Sequence, residues 1–71
     1  MSKYITTYDI EDGGRKTTAS DTETTDELLT EVSAKEHFEK RGRAKYGDKF
    51  SGVRIVERDG VPIYEDHKRS L

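Results

Sequence analysis

The chain has 71 residues, no cysteine and a net charge of −2, from 13 Lys and Arg against 15 Asp and Glu. That length admits one domain (1–71) with a thin core, and the missing thiols exclude disulfides and Cys-based metal sites, as suits a reducing cytoplasm. No apolar run approaches the ~20 residues of a membrane span and Met1-Ser2-Lys3 leads into no signal-peptide core, so a soluble cytoplasmic protein without membrane contact is expected.

Residues 3–10 are rich in β-branched and aromatic side chains, with Tyr4, Thr6, Tyr8 and Ile10 on one side and Lys3, Ile5, Thr7 and Asp9 on the other. They predict a first strand. Glu11-Asp12-Gly13-Gly14 is turn chemistry, and the Ser/Thr-rich stretch after it has Ala19 as its only apolar residue. Nothing there asks to be buried, so residues 11–25 are expected to form a mobile polar loop.

From Asp26 to Tyr46 the apolar residues Leu28, Leu29, Val32, Ala34, Phe38, Ala44 and Tyr46 scatter around a helical wheel, which argues against one long helix. Leu28, Thr30 and Val32 alternate instead as a second strand, and Ser33 with Glu36 has capping-box spacing. A helix over 34–46 follows, burying Ala34 and Phe38, extended by the stems of Arg41 and Lys45, and closing at Gly47. Gly42 inside it costs ~1 kcal/mol relative to Ala, so the helix depends on docking.

Residues 50–65 hold the densest apolar alternation, broken by Asp59-Gly60, and predict a hairpin. A three-residue loop Arg58-Asp59-Gly60 would place Val53, Ile55, Val61 and Ile63 on one buried face, whereas a two-residue loop divides them, so the longer loop is expected. Pro62 lacks an N–H and places the last strand at a sheet edge. Residues 66–71 read as a polar tail. The fold class is thus α+β: a small β-β-α-β-β domain with strand order 2-1-3-4 and one helix on one face of an antiparallel sheet.

Few residues carry chemistry. His37 and His67 have no Cys or second His at ligand spacing, and Gly13-Gly14-Arg15-Lys16 lacks the phosphate-loop pattern. No metal or cofactor is expected, and a chain this short can hardly enclose a catalytic pocket. The expected class is a non-enzymatic protein-binding module.

Charge is unevenly placed. Eight carboxylates precede Ser33, opposed by Lys3, Arg15 and Lys16, whereas Lys40, Arg41, Arg43, Lys45 and Lys49 bunch on the helix and just beyond it. Two surfaces are therefore candidates for partner binding. Asp21, Glu23, Asp26 and Glu27 would meet a basic partner, and Val61, Ile63 and Tyr64 would offer an edge strand, either to that partner or to a second copy in a homodimer. The alternative is nucleic-acid binding by Lys40, Arg41, Arg43, Lys45 and Lys49.

In size, absence of cysteine, charge density and β-β-α-β-β order the chain resembles small early proteins of bacteriophages, which inhibit host RNA polymerase, nucleoid proteins or CRISPR complexes. The resemblance is architectural and carries over no functional residue. It implies host takeover by stoichiometric inhibition of a host protein, in the host cytoplasm.

Overall fold

The computed structural model describes residues 1–66. Strand β1 (Ser2–Asp12) is longer than the sequence pattern suggested, and it buries Tyr4, Thr6, Tyr8 and Ile10 as that pattern required. A two-residue turn follows, Gly13 at φ +59° and Gly14 at φ +84°, in the left-handed region that a tight hairpin demands. The chain then returns as β2 (Arg15–Thr25), paired without interruption from Asp12↔Arg15 to Ser2↔Thr25.

This corrects the expected loop over 11–25. Thr, which supplies five of the eleven residues of β2, favours extended backbone, and β1 satisfies one side of the strand without any apolar side chain needing burial. The second strand expected at Leu28 to Val32 does not form. Residues 26–30 instead cross from sheet to helix, held by the Tyr4 hydroxyl, which donates to the Glu27 carbonyl at 3.0 Å and accepts from the Leu29 N–H at 2.9 Å. The crossing buries Leu29 and leaves Leu28 exposed.

Helix α1 (Glu31–Tyr46) starts three residues before the expected Ala34, because Thr30 is the N-cap. Its hydroxyl accepts from the Ser33 N–H at 3.2 Å, and the Ser33 hydroxyl accepts from the Thr30 N–H at 2.7 Å. Ser33 therefore takes part in a capping box, but as its third helical residue. The helix ends at Tyr46 as expected, with Gly47 at φ +60° donating to the Arg43 carbonyl, and a 3₁₀ turn (Gly47–Lys49) leads into the next strand.

Ala34, Phe38 and Gly42 form the buried line of α1. A Cβ on Gly42 would lie 2.8 Å from Cδ1 of Phe50 and 3.1 Å from Cε1 of Tyr8, so the glycine that weakens the helix also lets it approach the sheet. Tyr4, Tyr8, Ile10, Leu29, Val53 and Val56 complete the core around Ala34 and Phe38.

Strands β3 (Phe50–Arg58) and β4 (Val61–Glu65) form the second hairpin, and the antiparallel sheet runs β2-β1-β3-β4. Pro62 thus lies on an edge strand, as its chemistry required. The loop, however, is the two residues Asp59 (φ +50°) and Gly60 (φ +87°), with Arg58 opposite Val61. Asp59 is locked to β1: its N–H donates to the Lys3 carbonyl at 2.8 Å and its carboxylate accepts from the Lys3 N–H at 3.0 Å.

The expected single face of Val53, Ile55, Val61 and Ile63 is corrected by bulges. Between Thr7↔Ile55 and Tyr8↔Val53 the residue Arg54 is extra, and between Val56↔Tyr64 and Glu57↔Pro62 the residue Ile63 is extra. A bulge breaks the two-residue period. Val53 and Val56, three residues apart, both face the helix and are buried, whereas Val61 stays 62% exposed.

Candidate protein-binding surface

The charged residues read as two opposed surfaces turn out to face each other. Asp21 and Glu23 lie opposite Thr6 and Tyr4, and therefore on the helix side of β2. Arg41 reaches down from α1, donating through Nε to Asp21 at 2.5 Å and through Nη1 to Glu23 at 3.1 Å. His37 meets Glu23 at 2.7 Å and Lys45 approaches Asp21 at 3.8 Å. The Tyr8 hydroxyl donates to Asp21 at 3.2 Å. His37, expected at the surface, is half-buried and packs edge-on against Phe38.

These contacts set the electrostatics. The hydrogen bond from Arg41 holds the Asp21 carboxyl below its usual range, and the same bond raises the Arg41 guanidinium. Burial, reinforced by the Asp21 charge, pushes the Tyr8 phenol well above its usual value. Asp21, its side chain 9% exposed, is committed to holding β2 against the helix. Of the four carboxylates expected to meet a partner, only Asp26 and Glu27 are exposed, with Asp26 3.6 Å from the terminal amine.

The basic alternative is similarly neutralised. Besides Arg41 and Lys45, Arg43 lies 3.8 Å from Glu39 and Lys49 lies 3.4 Å from Asp12. Of that set, Lys40 alone has no carboxylate within 4.0 Å among the described residues. A phosphate backbone would have to compete with these internal partners.

The edge-strand residues fare differently. Val61 is exposed, and Ile63 and Tyr64 are half-buried where β4 meets the first turn of α1. A hollow of about 200 Å³ is lined by Glu31, Val32, Lys35, Glu36 and Tyr64. A second, of about 170 Å³, is lined by Glu31, Pro62, Ile63, Tyr64 and Glu65. The two share Glu31 and Tyr64 and so form one corner. Burial raises the Tyr64 phenol pKa as well.

Val32, 66% exposed, was missed as a site residue because its segment read as a strand. The Thr30 to Ser33 spacing was the signal that puts it in a first helical turn. A third hollow, of about 160 Å³, lies between β1, β2 and β3 over Asp9 and Arg54, which pair at 3.0 Å.

Among the described residues no group of three His, Asp or Glu side chains could hold a metal ion, and no helix is long and apolar enough to cross a membrane. His67 and the rest of the expected tail beyond Asp66 lie outside the described residues. Comparison with protein-family models, curated proteins and solved structures gives no match to this chain.

Proposed function

We propose that the chain is a non-enzymatic protein-binding module whose partner docks on the corner between α1 and β4. The observation that carries this reading is the gathering of Val32, Ile63 and Tyr64 around two joined hollows beside the free edge of β4. An extended partner segment can lie along that corner while an apolar side chain enters the hollow against Val32 and Tyr64.

The rim points to the partner's charge. Glu31, Glu36 and Glu65 border the hollows against Lys35, and Asp26 and Glu27 are exposed on the segment before the helix. A basic surface around an apolar anchor is the complement. On the architectural resemblance to early bacteriophage proteins, that partner is a host protein, one that handles nucleic acid, and binding in the host cytoplasm inhibits it.

The test is retention of proteins from bacterial lysate on the immobilised full chain, at low and high salt, beside titration with random-sequence duplex DNA. Expected are specifically retained protein, weakened by salt, and little DNA binding. DNA binding that falls steeply with salt, without retained protein, would overturn the reading in favour of the basic helix.

A further inference from the structure

We infer that the outer edge of β2 pairs with the same edge of a second copy, antiparallel and centred on Ser20, to give an eight-stranded sheet with both helices on one face. β2 is bonded to β1 alone and has eleven residues, with neither a proline nor a register shift. Strand edges in monomers are commonly blunted by such features. The β4 edge is five residues long, with Pro62 and the bulge at Ile63. The two edges of the sheet are therefore unequal, and β2 has the longer uninterrupted one.

The geometry fixes which groups are free. A two-residue turn closes on a hydrogen-bonded pair, so Asp12↔Arg15 and every second pair beyond it exchange bonds between β1 and β2. The intervening residues, Lys16, Thr18, Ser20, Thr22 and Thr24, turn their N–H and C=O groups to the open edge. Their side chains lie on the face away from the helix and are exposed.

Charge selects the occupant. The start of β2 carries Arg15 and Lys16, and its end is followed by Asp26 and Glu27, both exposed. An antiparallel second copy brings each basic end beside the other's acidic end. Centring on Ser20 uses the whole strand, placing Arg15 opposite Thr25 and setting Asp21 and Glu23 opposite the second copy's Ala19 and Thr17. Centring on Asp21 would oppose two carboxylates, and centring on Ala19 would leave the last two residues unpaired.

Inward-pointing charges on an edge usually discourage an added strand. Here Asp21 and Glu23 already hold Arg41, so the added strand leaves neither carboxylate without a partner. The α1–β4 corners would end up at the two outer ends of the assembly, giving a bivalent module.

The interface is mainly backbone and small by the standard of stable complexes, so sedimentation of the full chain from roughly 10 µM to 1 mM should show a reversible monomer–dimer equilibrium. Ser20→Pro removes an N–H that points to the free edge and none that bonds β1, so it should keep the circular dichroism spectrum of the wild type and lose the dimer. A cysteine pair gives the register directly. Oxidised Ser20→Cys should cross-link, because facing Cα atoms in such a pair lie ~5.5 Å apart, whereas Thr24→Cys should not, the two residues lying ~27 Å apart along the strands. A chain monomeric throughout that range, a dimer that survives in folded Ser20→Pro, or cross-linking of Thr24→Cys as fast as Ser20→Cys would each overturn the inference.

Discussion

The β3–β4 hairpin and the strand β2 are attached to the one helix by different physics. β3 and β4 dock through apolar contact: Val53 and Val56 are buried, and Phe50, Ile63 and Tyr64 pack against the core. β2 contributes only Ala19 to that packing, and its link to the helix is the cluster of Asp21, Glu23, Arg41, His37 and Lys45. The second hairpin, like β1, is held by area removed from water, whereas β2 is held by backbone bonds to β1 plus a partly exposed ionic network. The consequence for function is that the same carboxylates cannot serve both as the internal clamp of the first hairpin and as a free acidic surface.

That contrast can be broken most severely at Phe38, which is fully buried and stacks near Tyr4 with ring centroids 6.1 Å apart. Phe38→Ala should cost ~3–5 kcal/mol, comparable with the roughly 4–10 kcal/mol such a chain holds in total. Thermal melts followed by circular dichroism would then show a broad, low transition. A midpoint within a few degrees of the wild type would mean that the apolar core is not what holds the helix.

Loosening the ionic side should cost less and depend on pH. Arg41→Gln should lose ~1–2 kcal/mol, since the guanidinium is 41% exposed and partly screened. The folded Asp21 carboxyl titrates below its ordinary value of 3.8. Its contribution is therefore present above about pH 4 and fades as pH falls through the depressed folded value. The gap between urea midpoints of wild type and variant, measured from pH 6 to pH 3, should narrow toward the acid end, and a constant gap would contradict the role given to Asp21.

Smaller changes sharpen the comparison at single residues. Gly60→Ala, at φ +87° in the second turn, should cost ~1 kcal/mol in urea denaturation. Thr6 lies between the hairpins, opposite both Asp21 and Val56, with a fully buried hydroxyl that has no hydrogen-bond partner among the described residues. Thr6→Val should raise stability by about 0.5–1 kcal/mol, a gain that appears as a higher denaturation midpoint.

The same contrast accounts for what could be read from the sequence. Burial leaves a hydropathy trace, so the alternation from Tyr4 to Ile10, the Pro62 edge and the end of the helix at Gly47 were legible; the order β-β-α-β-β was reached too, but with its second strand placed at Leu28 to Val32, where no strand forms. β2 leaves no such trace, because Thr and Ser hold an extended strand by backbone pairing and Asp21 and Glu23 find partners only across space. The bulges at Arg54 and Ile63 were invisible to a strict two-residue period. Of the candidate corner, Ile63 and Tyr64 were singled out with Val61 by the edge argument, whereas Val32 was hidden by reading Ser33 as the cap in place of Thr30.

The division of labour between clamp and corner is tested most directly by comparing two double variants for retention of the partner captured by the wild-type chain, with thermal midpoints measured alongside. Val32→Lys with Pro62→Lys alters exposed residues that line the two hollows and should abolish retention while shifting the midpoint little. Asp21→Asn with Glu23→Gln should lower the midpoint and leave retention of the folded protein intact. Retention lost with the carboxylate pair and preserved with the corner pair would contradict the account.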